Sequence, residues 1–446
     1  MDNISIRNAG SRKNSYRKAF LLLDILVLAF LLTLGMTSNA ATVIAIVVLG
    51  ISFFFKEPSN IVVSMLFFYP FYNLFKFDGV GVSYYNILIA IAIFCLLAKE
   101  NMNSHTTGIR IPKSMLGVFL FTVWCMLSSF LNGVDSVFSA FIDICIPLLF
   151  VACVINSKDM DIRRIIYAYS VGCIIAGLAG AKILPIPNLE AYIDPFAYRM
   201  GNIRLVRLQG LTVNPNYYSL DLNLAIAGLL SMARIEKQKL KPIEIIMIVV
   251  LAACGVMTLS KSFFVGLVLT IAIYMCVSGN LKHIAGAVCL GAVTVSLFAY
   301  LYAAGNQYVT AIFGRLLESD SLDGLTSSRL TIWLGYLDAI FSDPLCLLIG
   351  KGINAAPPAA VEQATHNLYI EILYYVGIIG GVLLFFALKG FVKRRKRKLI
   401  QYLLMGIFLI RAFAINLLVR EAFMIDIMLV CFFLNAQQGS MIEKID

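Results

Sequence analysis

Apolar runs recur along this chain from Ala19 to Phe433. They are roughly 20 residues each, long enough to cross about 30 Å of hydrocarbon. In hydrocarbon every backbone N–H and C=O must find a partner within the protein, and only helices or closed barrels supply one. The runs are continuous rather than alternating, which selects helices over barrel strands. Charged residues make up 14% of the chain, against about 25% in an ordinary soluble domain. The expected fold class is therefore all-α: a single polytopic integral membrane domain over 1–446, with 12–14 transmembrane helices. No cleavable signal peptide is expected, because the run after Arg12, Lys13, Arg17 and Lys18 lacks a small-residue cleavage site.

Spans are expected near 19–35, 40–55, 60–75, 82–98, 114–131, 137–155, 163–183, 215–233, 242–259, 262–277, 283–303, 367–388, 399–418 and 421–435. Pro70 interrupts the third, and almost nothing separates the last two, so a re-entrant final hairpin would lower the number. The net charge of +11 is concentrated in short segments: Arg12 to Lys18, Lys99 to Lys113, Lys158 to Arg164, Arg234 to Lys241 and Lys389 to Lys398. These alternate with segments that, apart from two long ones, are poor in Lys and Arg, which places them and both termini on the cytoplasmic side of a cell inner membrane. The basic balance thus reads as a topology signal and not as nucleic-acid binding. The 10 cysteines form no C-x-x-C pair and read as small apolar fillers, with neither metal nor disulfide expected.

Two long connections, 184–214 and 304–366, fall on the same external side. Connections of that length are usually functional. The second holds an expected amphipathic helix: Ser327 or Ser328 as cap, then Leu330, Trp333, Leu337 and Ile340 or Phe341, with Asp343-Pro344 as its stop. The run from Tyr308 to Leu317 is a candidate for a similar helix.

Three features of these loops suit chemistry. Of three histidines only His366 is external, in Thr365-His366-Asn367. It reads either as a proton-transfer group or as an interfacial polar residue starting a helix. Arg199, Arg204 and Arg207 crowd the first loop, and Arg315 and Arg329 lie in the second. Guanidinium groups bind phosphate oxygens in a bidentate fashion, so convergent external arginines suggest a lipid-linked phosphate or pyrophosphate; headgroup anchoring is the alternative. Arg411 lies within an apolar span, where charge needs a partner or a polar cavity. Asp426, Asp221, Glu371 and a substrate phosphate are its candidate partners, while Asp24 and Asp143 are further intramembrane acids. Asp159-Met160-Asp161 is explained by helix capping, and Gly350-Lys351-Gly352 lacks the P-loop spacing.

Two motifs carry a family resemblance over roughly 199–380. One is Arg207-Leu-Gln-Gly210 through Asn214-Pro-Asn216, leading into a span. The other is Ser328-Arg329 with Trp333, then Pro344, Gly350, Gly352, His366-Asn367-Leu368-Tyr369 and Gly377-Ile-Ile-Gly380. In their order and side these resemble the O-antigen polymerase and O-antigen ligase superfamily of bacterial surface-polysaccharide glycosyltransferases. Arg199 and Gly210 match the R-x10-G pattern of the polymerase branch, but a second such pattern is missing from the later loop.

The resemblance implies a glycosyltransferase of the C type (GT-C) without metal or other cofactor, acting on an undecaprenyl-pyrophosphate-linked glycan donor and acceptor at the outer face of the bilayer, with a chain-length regulator as a further partner. It implies that His366 acts on the acceptor hydroxyl and that Arg207 and Arg329 hold the pyrophosphate. Arg199, Arg204, Gly210, Asn214, Asn216, Tyr217, Asn367 and Arg411 are the implied substrate-binding residues, with Tyr217 and Tyr218 offering rings to sugars. Polymerisation of repeat units is the expected reaction. Ligation of a finished glycan is the nearest alternative, and a flippase for the same lipid-linked sugars is the alternative from another class.

Overall fold

A computed structural model describes residues 2–35, 38–75, 83–103, 113–134, 141–157, 160–187, 189, 197–200, 203–278, 296, 299–306, 309–310, 312–314, 329–394, 396–418 and 421–436. The chain is mostly helical. The helices are α1 (Asp2–Phe30), α2 (Asn39–Phe55), α3 (Pro58–Phe68), α4 (Tyr84–Asn103), α5 (Lys113–Leu131), α6 (Ile146–Asn156), α7 (Ile162–Gly180), α8 (Pro215–Ile235), α9 (Pro242–Met257), α10 (Lys261–Ser278), α11 (Arg329–Phe341), α12 (Pro344–Ile349), α13 (Leu368–Gly390), α14 (Leu403–Ala412) and α15 (Glu421–Asn435). Among the described residues, Tyr16–Gly35, Ile162–Gly180 and Leu368–Gly390 are long and apolar enough to cross a membrane. The expected span at 283–303 lies largely outside the described residues, as do Arg315, Ser327 and Ser328.

Proline and short polar residues set where helices begin. Pro58, Pro215, Pro242 and Pro344 each occupy the first turn, where a missing N–H costs nothing. Asn214, Asp343 and Asn367 cap their helices by accepting backbone N–H groups. Asp161 does the same for Arg164 N at 3.1 Å, which gives this acid the capping role read from its sequence context. Two expectations are revised. Asp343-Pro344 ends α11 but also starts α12, because the aspartate caps and the proline opens the new turn. The buried stripe of α11 is Ile332, Tyr336 and Ile340, flanked by Trp333 and Leu337, whereas Leu330 and Phe341 are exposed.

The centre of the bundle is α8. Every residue from Tyr217 to Ala233 is buried, and α7, α9, α10, α14 and α15 pack around it. Small residues let the backbones approach: a Cβ on Gly177 of α7 would fall on the Tyr218 hydroxyl, and one on Gly228 would fall on Ile166. The outward faces stay apolar, with Phe54, Phe55, Phe94, Phe119, Phe130, Phe385 and Phe386 exposed.

A short antiparallel hairpin, β1 (Ala197–Met200) and β2 (Ile203–Val206), stands in the first long connection, and the sequence reading anticipated no strand there. A second unanticipated feature is a break inside α13. Gly377 adopts φ 65°, ψ −173°, and the segment around Gly350 is inserted beside it. The carbonyls released by the break are bonded from outside the helix: Lys351 N donates to Tyr374 O at 2.7 Å and Gly352 N to Tyr375 O at 2.9 Å. Trp124 Nε1 donates to Val376 O at 2.9 Å. Buried backbone groups in apolar surroundings must be paired, so this loop and α5 replace the missing helical bonds.

A Cβ on Gly377 would sit 2.4 Å from Leu348 O. Gly377→Ala should therefore destabilise the fold by about 3 kcal/mol. Gly406→Ala, where nothing lies within 4 Å, should be neutral or gain up to about 1 kcal/mol from helix propensity. Thermal unfolding of the two variants in detergent separates these outcomes; equal midpoints would mean that the break is not needed.

Candidate anion site at the start of the central helix

The residues from Arg207 to Asn216 form a compact turn that delivers an arginine to the first turn of α8. Gly210, at φ 58°, lies against the Tyr218 ring, and a Cβ on Gly180 would meet Gly210 O at 2.5 Å. This packing alone requires glycine at Gly210. Leu208 N donates to Met257 O at 2.9 Å, tying the turn to the end of α9. Asn214 accepts Asn216 N at 2.8 Å and fixes the start of α8.

Asn216 is the hub. Its Oδ1 accepts Arg207 Nη2 at 3.2 Å and Ser260 Oγ at 2.9 Å. Its backbone oxygen accepts Arg411 Nη2 at 2.8 Å and Ser219 Oγ at 2.8 Å. Arg207 Nε also donates to Thr258 O at 2.9 Å. Two guanidinium groups thus meet on one asparagine at the N-terminal end of a helix, where the backbone dipole already favours anions. A third cation is near, since the charge of Arg329, at the start of α11, acts on Arg411.

Arg411 is 1% exposed. Besides Asn216 O it donates to Ser219 Oγ at 2.5 Å. Of its candidate partners, Glu371 is engaged elsewhere: its Oε2 accepts Leu417 N at 2.8 Å and Leu418 N at 3.1 Å. Asp221 and Asp426 lie within electrostatic reach of the guanidinium without hydrogen-bonding to it. The other acids expected within apolar spans are explained separately. Asp24 accepts from Lys56 at 2.6 Å and from Ser64 at 2.6 Å, and Asp143 accepts Asn86 Nδ2 at 3.0 Å.

His366 sits at the start of α13, half-buried, with a left-handed φ of 48°. Left-handed backbone at a non-glycine residue is uncommon and concentrates at functional sites; Leu259, between Thr258 and Ser260, shows it too at φ 49°. The histidine is held from both sides. Thr365 O accepts Trp333 Nε1 at 3.0 Å, linking it to α11, and Asn367 caps α13 through Tyr369 N at 3.0 Å. Tyr369 then reaches α14: its hydroxyl donates to Leu409 O at 2.8 Å, and its ring lies 4.5 Å from that of Phe413. The histidine-bearing helix end and the Arg411-bearing helix end are therefore neighbours.

Other expected site residues are placed differently. Arg199 and Arg204 are cross-strand partners on the hairpin, whose last residue, Val206, directly precedes Arg207, and Arg204 is exposed. Tyr217 is 6% exposed and donates to Asn416 Oδ1 at 2.5 Å. Tyr218 is fully buried and donates to Cys173 O at 2.8 Å. Both rings are occupied by protein packing, which corrects the reading that they offer faces to sugars. Sequence reasoning missed Thr258, Ser260, Ser219 and Asn416. The hydroxyls of Thr258 and Ser260 at an apolar helix–helix junction were the only available signal.

Glu371→Ala should leave two buried N–H groups unpaired and lower stability by about 2–3 kcal/mol. Glu371→Gln keeps one acceptor and should lose less than half of that. Asn367→Ala should cost about 1 kcal/mol through the lost cap. Unfolding in detergent measures all three, and a Glu371→Ala midpoint equal to the native one would remove the carboxylate from this architecture.

The chain matches no protein-family model, no curated protein and no solved structure.

Proposed function

We propose that this chain is a polytopic inner-membrane glycosyltransferase, of the GT-C kind, that polymerises polyprenyl-pyrophosphate-linked oligosaccharide repeat units on the outer face of the cytoplasmic membrane. The observation that carries this reading is the meeting of Arg207 and Arg411 on Asn216, beside the helix end that bears His366. The exposed apolar faces of the helices support the bilayer as their surroundings.

In this reading the guanidinium groups of Arg207 and Arg329 hold the pyrophosphate of the donor, and the enclosed charge of Arg411 adds to the positive potential there. The acceptor hydroxyl oxygen attacks the anomeric carbon, and its proton passes to His366. The bond from that carbon to the phosphate oxygen breaks, and the bonding pair leaves with undecaprenyl pyrophosphate, whose added charge the arginines offset. Arg204, exposed beside this cluster, extends positive charge toward the glycan entry side. Asn214 and Asn367 act by fixing the two helix starts that present Arg207 and His366.

The test is glycan profiling in a strain lacking the gene, complemented with the native protein, His366→Ala or Arg207→Ala. The expected result is loss of the long-chain ladder to a single repeat unit, restored only by the native protein, with both variants at normal abundance. Full-length glycan left on the lipid carrier would move the assignment to ligation. Single units trapped on the inner face would point to a flippase, and full rescue by both variants would remove the proposed site.

A further inference from the structure

Within electrostatic reach of Arg411 lie two acids that the transfer reaction does not use. Asp221, one turn along α8 from Tyr217, is 2% exposed. Its Oδ1 accepts the Tyr169 hydroxyl of α7 at 3.0 Å, and its Oδ2 has no partner. Asp426 on α15 is 0% exposed, with neither oxygen partnered. Arg411 contributes two more unpartnered atoms, Nε and Nη1. The three charges act on one another. A polar carboxylate–guanidinium cluster is thus enclosed where α8, α14 and α15 pack together.

Electroneutrality decides what this cluster holds. A carboxylate without a hydrogen bond is very costly to bury. Arg207 and Arg329 are half-buried, so the fully enclosed groups are two carboxylates and one guanidinium; these carry an excess negative charge, and like charges at close quarters do not both ionise when a proton is available. One added proton turns a carboxylate into an O–H donor, leaving one negative charge to match Arg411. We propose that Asp221 and Asp426 hold one proton between them, forming with Arg411 a proton-binding site in the bundle core that is linked to anion binding at Arg207 and Arg329.

The shared proton stands independently of the reaction proposed above; the linkage rests on the anion-binding part of that reading. Its sign follows from charge. Losing the proton adds a negative charge near Arg411, so anion affinity falls as pH rises through the titration of the pair. The other charged or titratable groups in reach are Tyr169 and Cys173 on α7, Tyr218 on α8 and Arg329 beyond Arg411. On α10, Lys261 follows Ser260 and is the cation of that packed element.

The experiment has two arms on the full chain in phosphatidylcholine nanodiscs. Infrared difference spectra at neutral pH should show the carbonyl stretch of a buried protonated carboxylic acid, lost in Asp426→Asn and in Asp221→Asn. Tyr169→Phe removes a donor from the Asp221 carboxylate, so the band should persist to higher pH, and this variant leaves both acids in place should either asparagine disturb folding. Absence of the band from the native protein at neutral pH overturns the shared proton.

In the second arm, inorganic pyrophosphate is titrated by calorimetry between about pH 6 and about pH 9, and the native protein should lose about tenfold more affinity than Asp426→Asn over that range. Titration of His366 and of the probe is common to both and cancels. Equal slopes overturn the linkage. A native protein that shows the band but binds no pyrophosphate overturns the linkage together with the anion site, and leaves the shared proton standing.

Discussion

A guanidinium in the middle of an apolar bundle sets the terms for everything around it. Arg411 has almost no exposed surface, and an unpaired charge in such a place is too costly to persist. The bundle answers by bringing the start of its most buried helix against the arginine, so that a backbone oxygen and a serine hydroxyl accept from it. That arrangement requires the first turn of α8 to be held still. Asn214 as cap, Pro215 in the first turn and the Tyr217 hydroxyl on Asn416 all serve that end. The Arg207 turn is then pinned by the same asparagine, so one hub positions two cations.

Much of this was readable in the chain because it is local. The helix start at Asn214-Pro215 is marked by adjacent residues whose preferences need no tertiary context, whereas Asp343-Pro344 reads only as a stop and is also a start. Asn367 marks α13 as Asn214 marks α8. The arginines and the histidine stood out because charge is scarce in such a sequence. What escaped notice is non-local. The break in α13 lies inside a continuous apolar run, and only the approach of the Gly350 segment makes Gly377 necessary. The buried Lys56 draws no attention beside Glu57 and Pro58 until Asp24, some thirty residues earlier, is seen to lie against it. The hairpin, whose strands are four residues each, is too short for alternation to register.

The ion pairs of the bundle differ in kind. Lys56, Asp24 and Ser64 close a ring in which each member bonds the other two. Such a ring is satisfied, and it accounts for one acid within an apolar helix. The Arg411 cluster is the opposite: donors and acceptors are enclosed together with several bonds unmade. Satisfied polar networks specify a packing, whereas unsatisfied ones are costly and call for an explanation of their own.

The break in α13 also divides labour mechanically. A continuous helix transmits bending along its length, but here the hydrogen-bond ladder is interrupted and its loose carbonyls are fastened to the Gly350 segment and to Trp124. The first half of α13, which carries Glu371 and follows His366, is thereby fastened to α11 and α12 as well as to its own second half. The second half rests on α5 within the apolar layer. Stiffness at the histidine is thus set in part by α11 and α12, and bending of the second half is decoupled from it at Gly377.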